Sequence, residues 1–79
     1  MQISVKFIAT YRKLLPEGTS GNSIQLEVAD GTRLEELLAS FNVPGERESV
    51  ILVNGHAPAD DQVLMPGDLV IAFPAMAGG

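Results

Sequence analysis

The sequence predicts an α+β domain in which a mixed sheet packs on one main helix. Three observations predict it: two alternating segments near the start, one amphipathic stripe after them, and two further apolar runs toward the end. A hairpin followed by a helix and then by more strands is typical of a sheet that grasps a single helix. The 79 residues leave room for one domain.

The first two strands are predicted at residues 2–9 and 24–28. In both segments every second residue is apolar, which places the apolar side chains on one face of a strand. One helical turn is expected at residues 12–15. Residues 16–23 consist almost entirely of turn-forming residue types. The two strands are therefore expected to pair antiparallel.

The main helix is predicted over residues 33–41, where apolar residues recur at the spacing of one helix face. Thr32 is expected to be the N-cap, with Glu35 completing a capping box three residues later. Asn42 and Pro44 are expected to end the helix. The apolar stripe consists of Leu34, Leu37, Leu38 and Phe41.

Two longer strands are predicted after the helix. Residues 50–53 are apolar on both faces, which indicates a central strand. An Asn-Gly pair then signals a tight turn, and residues 56–58 are expected to form a short return strand at an edge. Residues 69–73 form the last predicted strand, and Pro74 is expected to end its pairing.

Composition excludes several classes of function. Ten acidic and five basic residues give a formal net charge of −5, whereas nucleic-acid binding normally needs a basic stripe. The absence of cysteine removes disulfides and thiolate chemistry. No stretch approaches the roughly 18 apolar residues of a membrane helix, and no signal peptide is recognisable. We therefore expect a cytoplasmic protein that binds neither nucleic acid nor membranes.

Side chains suited to catalysis or metal binding are scarce. His56 stands alone beside a turn, without the other ligands that a metal site needs. The acidic pairs Glu35-Glu36 and Asp60-Asp61 fall at a helix start and in a loop, where solvated roles are expected. We therefore predict no catalytic side chain, no metal site and no bound cofactor.

The end of the sequence is its most unusual feature. No charged side chain follows Asp68, and Pro74 is followed by a slim apolar segment that finishes in two glycines. Glycine has no Cβ, so the backbone and carboxylate of Gly79 can enter a narrow slot. We expect a domain of residues 1–74 with a flexible, extended tail of residues 75–79, whose terminal carboxylate is the working group.

Five pieces of the sequence together carry a family resemblance: Val5 to Arg12, Leu34 to Leu38, Val53-Asn54-Gly55, Pro66-Gly67-Asp68 and Phe73 to Gly79. They resemble the ubiquitin-like sulfur-carrier family (MoaD/ThiS), and most closely the small subunits of molybdopterin synthase. The resemblance covers nearly the whole chain. Its most specific piece is the diglycine at the right distance after a Gly-Asp turn and a final strand.

The resemblance implies a β-grasp fold and a function of the C-terminus. In this family a ubiquitin-activating-like adenylyltransferase uses ATP to adenylate the terminal carboxylate, which then becomes a thiocarboxylate. By position, Gly79 would carry the sulfur, while Ala77 and Gly78 would thread the partner's channel. In the molybdenum-cofactor branch that partner is the large subunit of molybdopterin synthase. The chain would then be a sulfur-donor subunit and not an enzyme.

The resemblance also implies that Phe73, Pro74 and Met76 dock on the partner. From the residues alone, Phe73 stays open between docking and core packing, because its alternation with Leu69 and Ile71 also suits a buried strand face. Met76 lies beyond the proline, where docking is the more natural role for an adaptable methionine.

Three alternatives remain open from the sequence. The same tail chemistry could supply sulfur for the thiazole of thiamine or for another metabolite. The chain could instead be a protein modifier that is joined through Gly79 to lysines of other proteins. It could also be a β-grasp interaction module whose tail has no chemical role.

Overall fold

The computed structural model describes residues 1–45 and 47–75. In this part of the chain, four strands form one sheet, which is accompanied by an α-helix and a 3-10 helix. In chain order the elements are β1 (Gln2–Phe7), the 3-10 helix (Ala9–Leu14), β2 (Ser23–Glu27), α1 (Leu34–Ser40), β3 (Ser49–Val53) and β4 (Leu69–Pro74).

The sheet is mixed and has the strand order β2-β1-β4-β3. Two antiparallel pairs, β1 with β2 and β3 with β4, are joined in the centre by the parallel pair of β1 with β4. The predicted mixed sheet and its first hairpin are therefore confirmed. Because β1 and β4 run in the same direction, the segments that follow them emerge at the same edge of the sheet.

The core lies between one face of the sheet and α1. The inward side chains of β1, namely Ile3, Val5 and Phe7, are at most 1% exposed. The Phe7 ring meets the Phe41 ring edge to face, with centroids 5.2 Å apart. The remaining buried core residues are Tyr11, Leu15, Leu34, Leu37, Val53, Leu64, Val70 and Ala72.

The start of α1 differs from the prediction by one residue. Arg33, and not Thr32, is the N-cap, and its amide donates to the Glu36 carboxylate at 3.0 Å. The Thr32 hydroxyl donates instead to the Ala29 carbonyl at 2.6 Å, so the preceding turn uses it. Glu36 therefore takes the place that the sequence pattern assigned to Glu35.

The end of α1 is a Schellman motif. Asn42 has a positive φ of 60°, and its amide donates to the Ala39 carbonyl at 3.0 Å. The Val43 amide reaches back to the Leu38 carbonyl, also at 3.0 Å. The predicted role of Asn42 in ending the helix is confirmed, although α1 itself spans Leu34–Ser40.

Three predictions about the later strands were wrong. Pro74 was expected to end the pairing of β4, but it pairs with Ser49. β3 lies at an edge of the sheet and not in its centre. The predicted return strand at 56–58 amounts, in the described residues, to one bridge between Val53 and His56, whose amides and carbonyls bond each other. Pairing does not extend further because Pro58 has no amide hydrogen.

A polar clasp joins the turn after β3 to the turn before β4. The Asn54 side chain donates to one Asp68 carboxylate oxygen at 2.9 Å and accepts from the Leu69 amide at 2.9 Å. The Met65 amide donates to the other Asp68 oxygen at 2.8 Å. Asp68 is buried, so this clasp satisfies its charge with hydrogen bonds and fixes the register of β3 with β4.

We predict that Asp68→Ala lowers the free energy of unfolding by about 2 kcal/mol, because buried hydrogen bonds to a charged group are lost. Urea denaturation of purified protein measures it. The matched control is Asp61→Ala, which removes an exposed carboxylate and should change stability by no more than about 0.5 kcal/mol. Equal stability of the two variants would contradict a structural role for the clasp.

Candidate functional site

β4 separates core residues from surface residues by simple alternation. Val70 and Ala72 point toward α1 and are fully buried. Leu69, Ile71 and Phe73 point to the opposite face of the sheet and are half-buried. The strand is therefore apolar on both faces, although only one face is covered by the core.

β3 extends this second apolar surface. Val50 pairs with Phe73 and Leu52 pairs with Ile71, so the four side chains share the outer face. None of them belongs to the core or to the apolar residues that pack against it. We call the group the outer patch; its members are Val50, Leu52, Leu69, Ile71 and Phe73.

The other half of the same face is polar. On β1, Lys6 pairs with Ile71 and forms the boundary of the outer patch. On β2, the outward residues Ser23, Gln25 and Glu27 are exposed. A contiguous apolar surface with a polar border is the usual mark of a docking site for another macromolecule.

The structure removes the core alternative for Phe73. Its ring lies on the outer face, and the alternation with Leu69 and Ile71 belongs to the outer patch. The sequence did not reveal Val50 and Leu52 as part of this surface. The sequence does show that residues 50–53 are apolar on both faces. That pattern was interpreted as a central strand and not as an apolar surface.

β4 is the last strand before the diglycine in the sequence, and its end is anchored to the start of β3. Pro74 pairs with Ser49, and the Ala75 amide donates to the Glu48 carbonyl at 2.9 Å. The chain is thus held against the start of β3 as far as residue 75. The other predicted site residues, Met76, Ala77, Gly78 and Gly79, lie outside the described residues, and their roles stay predictions.

The remaining candidates for chemistry do not converge. His56 is exposed, as are both acidic pairs. Throughout residues 1–45 and 47–75, no group of three or more His, Asp or Glu side chains could hold a metal ion. Over the same ranges, no helix has the length and apolar character needed to cross a membrane.

A groove of about 680 Å³ lies on the α1 side of the sheet. Glu35, Asp60 and Asp61 line it together with apolar residues such as Leu38 and Ile51. It contains no member of the outer patch, and its acidic groups are exposed to water. The groove and the outer patch therefore lie on opposite faces of the sheet.

Comparisons with known proteins agree with this geometry. The model of the ThiS family matches residues 5–79. A Pyrococcus furiosus protein described as a candidate molybdopterin converting factor, subunit 1, superposes with a TM-score of 0.71 at 25% identity, over 92% of this chain and 95% of that one. SAMP1 from Haloferax volcanii superposes with a TM-score of 0.69 at 19% identity, over 100% of both chains. No protein of curated function matches the sequence. The predicted ubiquitin-like β-grasp fold is confirmed.

We predict that neighbouring residues of β4 differ sharply in their effect on stability. Val70→Ala removes fully buried methyl groups and should lower the free energy of unfolding by about 2 kcal/mol, whereas Ile71→Ala on the outer patch should cost about 1 kcal/mol or less. Chemical denaturation of the two variants measures the difference. A larger cost for Ile71→Ala than for Val70→Ala would mean that the patch is part of the core.

Proposed function

The chain belongs to the ThiS family, and from that premise we propose that it carries sulfur as a thiocarboxylate on Gly79 and donates it in molybdopterin synthesis. Members of this family are small ubiquitin-like sulfur carriers. The observation that carries the proposal is the path of β4, because the strand that presents Ile71 and Phe73 on the outer face continues toward Gly78-Gly79. One partner can therefore hold the domain and receive the tail.

The terminal carboxylate is a poor electrophile and must be activated before sulfur can be attached to it. Attack of the terminal carboxylate on ATP forms an acyl-adenylate and releases pyrophosphate. Sulfide (HS⁻) then attacks the carbonyl carbon; a C–S bond forms, the C–O bond to AMP breaks, and loss of the remaining proton leaves the thiocarboxylate. The activating adenylyltransferase supplies the ATP site and the catalysis. This chain contributes the carboxylate and a slim backbone, so it is a donor subunit without catalytic side chains.

The tail is long enough for Gly79 to enter a partner's site while the domain stays outside. The four residues beyond the anchored residue 75, 76–79, can span about 13 Å when extended. Gly79 can then enter a partner's site while the outer patch stays on the partner's surface. A narrow channel in the partner would leave room for backbone but not for side chains at residues 78 and 79. This accounts for the two glycines.

The Pyrococcus relative favours the molybdopterin pathway, because it is described as a subunit of a molybdopterin converting factor. The sulfur acceptor would then be bound by the large subunit of molybdopterin synthase, which is the second proposed partner. A thiazole-forming synthase is the second candidate acceptor, since the matching family model is that of ThiS. Incubating the thiocarboxylated protein with either synthase shows which one consumes the sulfur.

We predict that incubation with the cognate adenylyltransferase, ATP and a sulfur source raises the intact mass by the difference between one sulfur and one oxygen atom. Mass spectrometry measures it. Gly78→Val should reduce the yield at least about tenfold, because a branched side chain must enter a slot suited to backbone. Ala75→Val is the control and should react normally. An unchanged mass of the wild-type protein would refute the proposed function.

We predict that Phe73→Ala weakens binding to the adenylyltransferase at least about tenfold, because the one aromatic ring of the outer patch is lost. Isothermal titration calorimetry measures the Kd. Gln25→Ala, on the polar half of the same face, is the matched control and should bind like the wild type. Equal binding by both variants would place the docking surface elsewhere.

A further inference from the structure

The hydroxyl of Tyr11 contacts two residues at the start of β3, where that strand pairs with the end of β4. Its oxygen is 2.5 Å from the Ser49 hydroxyl and 3.1 Å from the Glu48 carbonyl. Ser49 donates its own hydrogen to the Pro44 carbonyl at 2.7 Å, so the single hydrogen of the Tyr11 hydroxyl is shared between the Ser49 oxygen and the Glu48 carbonyl. The tyrosine, which belongs to the 3-10 helix, is only 7% exposed.

Both residues that this hydroxyl contacts hold the end of β4. Ser49 pairs with Pro74. The Glu48 carbonyl accepts the Ala75 amide at 2.9 Å as well as the Tyr11 hydroxyl. One buried side chain therefore fixes the two backbone positions against which residues 74 and 75 are aligned.

A phenyl ring alone would fill the core position of Tyr11. The added hydroxyl loses water when it is buried, and it is tolerated because it has polar partners. Those partners lie 37 and 38 residues away in sequence, at the start of β3. The ring fills the core, and the hydroxyl in addition links the 3-10 helix to the start of β3 by hydrogen bonds.

We propose that Tyr11 is a positioning residue that sets the direction in which the chain leaves the sheet toward Gly79. This inference rests on the proposed function, because the direction matters only if a partner receives Gly79. With Pro74 and Ala75 held in register, the partner binds a chain whose starting point is fixed. Without the hydroxyl, those residues must be ordered at binding, and ordering one residue weakens binding about tenfold.

The test compares Tyr11→Phe, which keeps the ring and removes the hydroxyl, with Lys13→Ala, an exposed change in the same 3-10 helix. Hydrogen exchange of backbone amides is measured by NMR on the free protein. In Tyr11→Phe the Ala75 amide should exchange about tenfold faster, while the Ile8 amide, bonded to the Ala72 carbonyl, should keep its rate. Lys13→Ala should change neither.

The second readout is the adenylation reaction, measured as ATP–pyrophosphate exchange with the carrier as the varied substrate. For Tyr11→Phe the KM for the carrier should rise about tenfold with kcat preserved, because uniform binding is lost while the reacting carboxylate is intact. Lys13→Ala should match the wild type in both constants.

These results distinguish a positioning role of Tyr11 from a general effect on the stability of the domain. Equal acceleration of the Ala75 and Ile8 amides would show general destabilisation and would overturn the inference, as would an unchanged Ala75 rate or an unchanged KM. If the wild-type protein is not adenylated, the proposed function fails and the role of Tyr11 in it fails too. The exchange data, which need no partner, would then still report whether the hydroxyl anchors Ala75.

Discussion

The parallel pairing of β1 with β4 is the constraint on which the rest of the molecule depends. Val5 pairs with Val70 and Phe7 with Ala72, and all four side chains are fully buried. Because the two strands run in the same direction, the chain leaves both of them at the same edge of the sheet. The 3-10 helix that follows β1 thereby lies against β4. The contact of Tyr11 with the start of β3 is a consequence of this topology.

Strand alternation allows β4 to serve stability and recognition separately. Its inward residues are buried against β1 and α1, whereas its outward residues face the surface together with those of β3. Neighbouring residues of β4 are therefore subject to different physical constraints. A change on the inner face acts through packing density, whereas the outer face is the surface that we propose for docking, where a change would act through the partner. Residues of the outer patch could then vary without loss of the fold.

Local patterns determined what the sequence could reveal. The strands β1, β2 and β4 and the helix α1 were predictable, because period-two alternation and a helical stripe are properties of short segments. The edge position of β3 was not, since a run that is apolar on both faces does not show which strands lie beside it. The shift of the N-cap from Thr32 to Arg33 depended on a competing bond to Ala29, which the capping pattern alone does not include.

The site followed the same division. Phe73 and Pro74 were recognisable because they precede the diglycine in the sequence. Val50 and Leu52 join the outer patch only through their cross-strand partners, which the sequence does not specify. The link from Tyr11 to Ser49 spans 38 residues and arises from strand order, so no local motif could indicate it. Candidate residues marked by their neighbours in sequence could be predicted, whereas candidates marked by their neighbours in space could not.

The arrangement of charge fits an apolar docking surface on an acidic protein. The formal net charge is −5, yet every member of the outer patch is uncharged. Glu35, Asp60 and Asp61 line the groove on the other face of the sheet. Removing a carboxylate from water would oppose binding. A partner that covers the outer patch leaves the carboxylates of Glu35, Asp60 and Asp61 in water. The exposed acids can still attract a basic partner over distances of about 10 Å, because such attraction needs no contact. If the proposed docking surface is used, charge favours the encounter, while apolar burial on the outer patch selects the face that is bound.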